Sequence, residues 1–218
     1  MVRNDEVFAD RRDAGIRLGR LLENEYKNKN VLVLGIPRGG VEVAYYVAEL
    51  LNADLSAIVS KKLPLPEQEE VAFGAVTEDG SVYLSPLADE LNKETISRIV
   101  KEQIFEIKRR IKEYRAGKPL PDITNRIVII VDDGIATGST IVPALKLCRG
   151  KKAAKIIVAA PVSGKRYVPE IDELADEVRV LEVPSGFFAV GQVYRDFHGL
   201  TDNEVIDLLD SFHRSHVS

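Results

Sequence analysis

Apolar residues recur at helical spacing at Phe8, Ala14, Ile16, Leu18, Leu21 and Leu22, which predicts a first helix over 8–26, its start supported by Asp10. An uninterrupted apolar run at 31–34 then reads as a buried strand. It ends in Gly35-Ile36-Pro37-Arg38-Gly39-Gly40, and a helix over 41–51 follows. Residues 55–59 predict a second strand, ending at Ser60-Lys61-Lys62. The stretch 63–70 holds two prolines and three acidic residues and reads as a mobile loop. Residues 73–76 and 81–84, joined by Glu78-Asp79-Gly80, read as a hairpin. Ile96, Ile99, Val100, Ile104, Ile107 and Ile111 mark one face of a long charged helix over 91–114, stopped by Ala116-Gly117-Lys118-Pro119. Residues 127–131 are the clearest buried parallel strand, all β-branched. Beyond it the pattern predicts a helix over 139–148, a strand over 155–160 and a helix over 167–175. A strand over 178–183 and a short terminal helix over 201–212 complete it.

Strands alternating with helices predict an α/β fold with a doubly wound, mostly parallel sheet. The whole of 1–218 reads as one domain, with the long helix as an insertion and a small hood from about 184 to 218. In such sheets ligands lie at the carboxyl ends of the strands. Three predicted strand ends carry glycine-rich or polar chemistry, at 35–40, 60–62 and 132–140, and one cleft is expected over all three.

Composition narrows the function classes. The chain carries 30 Lys+Arg against 34 Asp+Glu with no long basic run, which argues against a dedicated nucleic-acid or anionic-membrane surface. Charged residues among the first thirty leave no apolar core for a signal peptide, and no run approaches membrane-spanning length, so a cytoplasmic protein is expected. Cys148 is the single cysteine; with no partner for a disulfide and no zinc spacing it reads as a small core filler. His198, His213 and His216 lie in the polar tail without ligand spacing.

The chemistry concentrates at 127–140. A buried strand delivers two adjacent carboxylates, Asp132 and Asp133. A loop with Gly134 and Gly138 then leads into a helix through Thr137, Ser139 and Thr140. Loop amides and a helix N-terminus form a nest for a phosphate, to which the hydroxyls add donors. Two carboxylates repel a phosphate but accept hydrogen bonds from vicinal hydroxyls beside it. A diol next to a monophosphate is a ribose 5-phosphate. The pattern Gly-x-x-x-x-Gly-Lys-Ser/Thr of nucleotide triphosphatases is absent. Upstream, the glycines of 35–40 expose backbone amides at a strand-to-helix turn, and Arg38 supplies a planar charged donor.

The segment 127–140 resembles the signature of the type I phosphoribosyltransferases, a hydrophobic strand, two acids and a small Thr-Gly-x-Thr loop. The likeness extends over nearly the whole chain. It is closest to a bacterial and archaeal branch with an Ile-Pro-Arg-Gly-Gly loop and an Ala-Val-Gly-x-x-Tyr tail. The resemblance implies that Asp132 and Asp133 take the ribose hydroxyls of 5-phosphoribosyl-1-pyrophosphate. Gly134, Ile135, Ala136, Thr137, Gly138, Ser139 and Thr140 would wrap its 5-phosphate. Arg38 and Gly39, in a loop that often has unusual peptide geometry in the family, would bind the pyrophosphate together with Lys61 and Lys62. The stretch 63–70 would be the flexible loop that closes over substrate and excludes water. Mg²⁺ is the implied cofactor, reached by Asp132 and Asp133 directly or through ribose hydroxyls or water, while Arg38 and Lys62 share the leaving-group charge.

The 6-oxopurine enzymes of the family carry an acid where this chain has Ala136, so Glu70 becomes the candidate proton-transfer group. Phe187 and Phe188 are the aromatics expected to stack on a base, with Asp196 as a further base or Mg²⁺ contact one residue out of register. The implied partners are the donor and a nucleobase or nucleoside monophosphate, without nucleic acid or membrane, and a homodimer is expected. The base is unassigned. Two other classes remain open: a regulator that binds the donor or a nucleotide without turnover, and another ribose-phosphate enzyme such as a phosphorylase or hydrolase.

Overall fold

The structure, a computed structural model, describes residues 7–216, with the side chains of Glu69 and Glu70 outside the description. Five strands form a parallel sheet: β1 (Val31–Gly35), β2 (Asp54–Ala57), β6 (Ile127–Val131), β7 (Lys155–Val162) and β8 (Glu177–Glu182), in the order β2-β1-β6-β7-β8. Alternate residues of each strand point to opposite faces. Val31 and Val33 of β1 and Ile129 and Val131 of β6 pack on one face, with helices α1 (Arg11–Tyr26), α2 (Gly39–Leu51), α3 (Lys93–Arg115) and α6 (Asp202–His216). Leu32, Leu34, Val128 and Ile130 face the other way, against α4 (Ile141–Gly150) and α5 (Glu170–Leu174). Apolar burial on both faces explains why these strands read as unbroken hydrophobic runs.

The chain leaves β1 through α2 to β2 on one side, whereas β6, β7 and β8 proceed to the other. The order therefore reverses between β1 and β6, which pair in register from Val31↔Ile127 to Gly35↔Val131. The polar segments after those two strands emerge side by side at this switch point, the position from which doubly wound sheets bind ligands. The predicted fold class is thus the observed one.

Local signals set several boundaries. The Asp10 carboxylate caps α1 by accepting the Asp13 N–H at 2.7 Å, and Asn92 caps α3 by accepting that of Thr95 at 2.8 Å. Ala116 at φ 50° and Gly117 at φ 78° turn the chain out of α3 where a stop was expected.

Two expectations are corrected. The stretch 63–70 is not a loop: β3 (Ser60–Leu65) and β4 (Gln68–Thr77) pair antiparallel, and β5 (Val82–Leu84) adds a third strand to this second sheet. Pro64 is tolerated because β3 is an edge strand and the register shifts there, and the fully buried Leu63 anchors it. The Ser60-Lys61-Lys62 segment accordingly opens β3 rather than ending β2. The helix expected over 167–175 shrinks to α5, because Pro169 caps it and Val168 N–H donates to the Thr137 carbonyl at 3.0 Å. Cys148 is fully buried, as a core filler should be.

Candidate active site

Asp132 and Asp133 leave the carboxyl end of β6 with distinct partners. Asp132 Oδ1 accepts the Asp133 N–H at 2.9 Å, and Oδ2 lies 3.4 Å from the Thr140 hydroxyl. Burial, reinforced by the charge of Asp133, raises the pKa of Asp132 well above the usual aspartate value. Asp133 Oδ2 accepts from Arg11 Nε at 2.8 Å. The Tyr194 hydroxyl donates to the Asp133 carbonyl at 2.6 Å; burial, and then the Asp133 charge, push that phenol's pKa up.

The loop that follows is fixed by its neighbours. Ile135 N–H donates to the Val162 carbonyl at 2.8 Å and Gly164 N–H to the Ile135 carbonyl at 3.0 Å, so the start of the loop runs beside the extension of β7. Gly138 turns at φ 79°, where a side chain would also strike Ile171 Cδ1 at 2.3 Å. The Thr137 and Ser139 hydroxyls lie 3.1 Å apart at the loop mouth, and α4 begins at Ile141.

The start of α2 abuts the acid pair. A Cβ on Gly39 would sit 1.9 Å from Asp133 Oδ2, and one on Gly40 would sit 2.7 Å from the Val131 carbonyl oxygen. These glycines are therefore required by the close approach of two strand ends. The Pro37–Arg38 peptide bond is cis. Ile36, Pro37, Ser60, Lys61, Lys62, Pro64, Gln103, Arg110 and Thr140 line an adjoining cleft of ≈ 310 Å³. Burial, then the like charge of Arg110, lowers the pKa of Lys61. Arg38 is half-exposed and leans toward α6, its Nη1 4.0 Å from Asp202 Oδ1.

A second cleft of ≈ 360 Å³ opens on the other side of the loop, lined by Ala136, Thr137, Gly164, Lys165, Arg166, Phe187 and Phe188. Phe187 packs over Gly164, whereas the Phe188 side chain is 89% exposed. Asp196 stands outside this cleft, 71% exposed and 3.7 Å from His198 Nδ1. The structure thus brings together the acids, the 134–140 loop, Gly39, Lys61, Lys62 and Phe187, and it sets Arg38 at the rim and Asp196 apart. The Glu70 side chain lies outside the described residues.

Residues 13–198 match the family described as the phosphoribosyl transferase domain. The chain belongs to the phosphoribosyltransferase family. A protein of Mycobacterium tuberculosis (strain H37Rv), provisionally named as a phosphoribosyl transferase, is 42% identical over 96% of this chain and 48% of its own length. The chain therefore spans about half the length of this curated relative. The crystal structure of TT1426 from Thermus thermophilus is 35% identical and superposes with a TM-score of 0.82, covering 94% of this chain and 98% of that one. A ribose-phosphate pyrophosphokinase of Thermoplasma volcanium is 32% identical over 46% of this chain and 36% of its own.

In this member of the family, four cations and a phenol near the acids were not foreseen from the sequence. Lys165 and Arg166 follow β7 as Lys61 and Lys62 follow β2, a signal that was available. Arg110 comes from α3, and no local pattern places it beside Lys61. Arg11 and Tyr194 lie 122 and 61 residues from Asp133, and no local pattern links them to it. Among the described residues no group of three or more His, Cys, Asp or Glu could hold a metal ion alone. The donor set nevertheless suits Mg²⁺, since Asp133 Oδ1 and Asp132 Oδ2 are hard oxygen atoms and Mg²⁺ commonly takes one or two carboxylates with water and substrate oxygens. No helix among the described residues is long and apolar enough to cross a membrane.

Proposed function

We propose that this chain transfers a phosphoribosyl group between 5-phosphoribosyl-1-pyrophosphate and a nitrogenous base. The observation that carries the reading is the acid pair of Asp132 and Asp133 at the β1/β6 switch point, followed by the Gly138-turned loop into α4. The carboxylates accept from the 2- and 3-hydroxyls of the ribose. Backbone amides and hydroxyls of 134–140 hold the 5-phosphate at the helix N-terminus. Similarity to a protein named ribose-phosphate pyrophosphokinase supports a ribose phosphate as the ligand.

Placed this way, the pyrophosphate falls toward the cleft of Lys61, Lys62 and Arg110, and the base toward that of Lys165, Arg166 and Phe187. As the bond to the anomeric carbon breaks, negative charge grows on the leaving pyrophosphate and positive charge on the sugar. Fixed cations beside the leaving group stabilise that transition state. Mg²⁺, when bound, supplies further charge neutralisation on the phosphate oxygens. Phe187 and Phe188, which line that cleft, supply the aromatic surface for the base. The leaving-group cations favour turnover over mere sensing of the donor, which needs only the acids and the 5-phosphate loop.

The test is exchange of labelled pyrophosphate into the donor, with Mg²⁺ and a panel of purine and pyrimidine nucleoside monophosphates. At least one nucleotide should support exchange well above the protein-free rate. Tight donor binding with no exchange across the whole panel would argue for a binding protein instead.

A further inference from the structure

Arg11 is the first residue of α1 and only 5% exposed. Its guanidinium meets three separate pieces of the chain, around Asp133, Glu42 and Phe197–His198. Nε donates to Asp133 Oδ2 at 2.8 Å, and Nη1 donates to the His198 carbonyl at 2.8 Å. Nη1 also lies 4.0 Å from Glu42 Oε2 on α2, and the group sits 4.0 Å over the Phe197 ring. The neighbourhood is locked. Segment 7–9 runs against 193–196 through Phe8 N–H to the Val193 carbonyl at 2.9 Å and Asp196 N–H to the Ala9 carbonyl at 3.0 Å. The missing Cβ of Gly39 leaves the space in which Arg11 Nε, 2.8 Å from that point, reaches the acid.

This arrangement removes one acceptor oxygen from each acid. Arg11 takes Oδ2 of Asp133, and the Asp133 N–H takes Oδ1 of Asp132. What remains is Asp133 Oδ1 and Asp132 Oδ2, the latter met only by a long 3.4 Å contact from Thr140. Two like-charged carboxylates on consecutive residues would otherwise turn apart, and a planar, forked donor fixed at three other points prevents it for Asp133.

We propose that Arg11 is a positioning residue that presents the acid pair as one oxygen from each carboxylate, matched to two vicinal hydroxyls, and so makes the site selective for a ribose over a deoxyribose phosphate. The proposal rests on the reading that Asp132 and Asp133 hold the sugar.

The experiment is calorimetric titration of ribose 5-phosphate and 2-deoxyribose 5-phosphate into the wild type, Arg11→Met and Arg11→Lys, each checked for cooperative thermal unfolding. The wild type should prefer ribose 5-phosphate by about tenfold or more, the loss expected for one hydrogen bond to a charged acceptor. Arg11→Met keeps an unbranched apolar stem but loses the guanidinium and its fork, and its preference should collapse toward unity because the ribose compound alone weakens. Arg11→Lys keeps the charge without the fork and should fall between the two. It carries the test if Arg11→Met does not fold. Equal weakening of both sugars in Arg11→Met, or a full wild-type preference in either variant, would leave Arg11 a merely structural role and overturn the proposal. A wild type that binds ribose 5-phosphate without discriminating the 2-hydroxyl would overturn this inference but not the proposed function. A wild type that binds neither sugar phosphate would overturn both.

Discussion

The contact between Gly39 and Asp133 makes a sharp prediction for Gly39→Ala. The added methyl would lie 1.9 Å from Asp133 Oδ2 and 2.8 Å from Arg11 Nε, both inside contact distance. Gly39 begins α2 just after β1, whose register against β6 is set by the core pairs from Val31↔Ile127 to Gly35↔Val131, so the backbone has little room to retreat. The carboxylate must swing away and give up its 2.8 Å hydrogen bond from a 5%-exposed guanidinium. Losing a hydrogen bond between charged groups costs about 1.5–3 kcal/mol. At about 2–4 °C per kcal/mol for a chain of this size, Tm should drop by roughly 3–12 °C. Ribose 5-phosphate affinity should fall by about tenfold or more, because one of its two acceptors has moved. Gly150→Ala is the matched control. It ends α4 with nothing within 4 Å of the added methyl, and alanine there should be neutral or stabilising by up to about 1 kcal/mol. Thermal unfolding and calorimetric titration of the two variants decide the matter. A Gly39→Ala protein with the melting temperature and sugar-phosphate affinity of the wild type would refute the close packing of α2 on the acid pair.

Two further outcomes follow from charged pairs and clusters. Arg115 and Glu78 form a nearly fully buried pair, 6% and 5% exposed, that ties the end of α3 to the β4–β5 turn. Arg115→Met should destabilise the fold by about 3 kcal/mol in denaturant unfolding, and adding Glu78→Gln should recover part of the loss, since an unpaired buried charge costs more than an absent pair. Glu177, held by Lys155 and then Arg179, and Glu106, held by Arg109 and then Arg110, both have pKa values lowered to about 2. A depressed carboxylate contributes stability above its unfolded value and loses it as the pH falls toward the folded one. Unfolding midpoints should therefore decline as pH drops from about 4.5 to about 2, and the slope should be shallower in Lys155→Met.

What could be read from the chain depended on whether a signal was local. The β-branched run at 127–131 with Asp132 and Asp133 behind it revealed strand, acids and loop together, because all three lie within fourteen consecutive residues. The long helix was legible from the isoleucine face that packs with Ile99 and Ile107 buried. Of the second sheet, the β4–β5 hairpin was legible, but β3 was not, because prolines at 64 and 66 suggest a loop unless the edge position of β3 is known. The helix over 167–175 was overread because the backbone of Val168 is engaged by Thr137, thirty-one residues earlier. Arg11 and Arg110 were invisible for the same reason: each reaches the cleft only through tertiary packing of its helix.

The most direct measurement is thermal unfolding of the wild type and of Asp132→Asn with Asp133→Asn, each with Mg²⁺ and the phosphoribosyl donor. At a donor concentration one hundred times its dissociation constant, the wild type should gain about 2.7 kcal/mol, and the doubly substituted protein, still folded, should gain none. Equal stabilisation of both proteins would show that the carboxylates at the end of β6 do not hold the sugar.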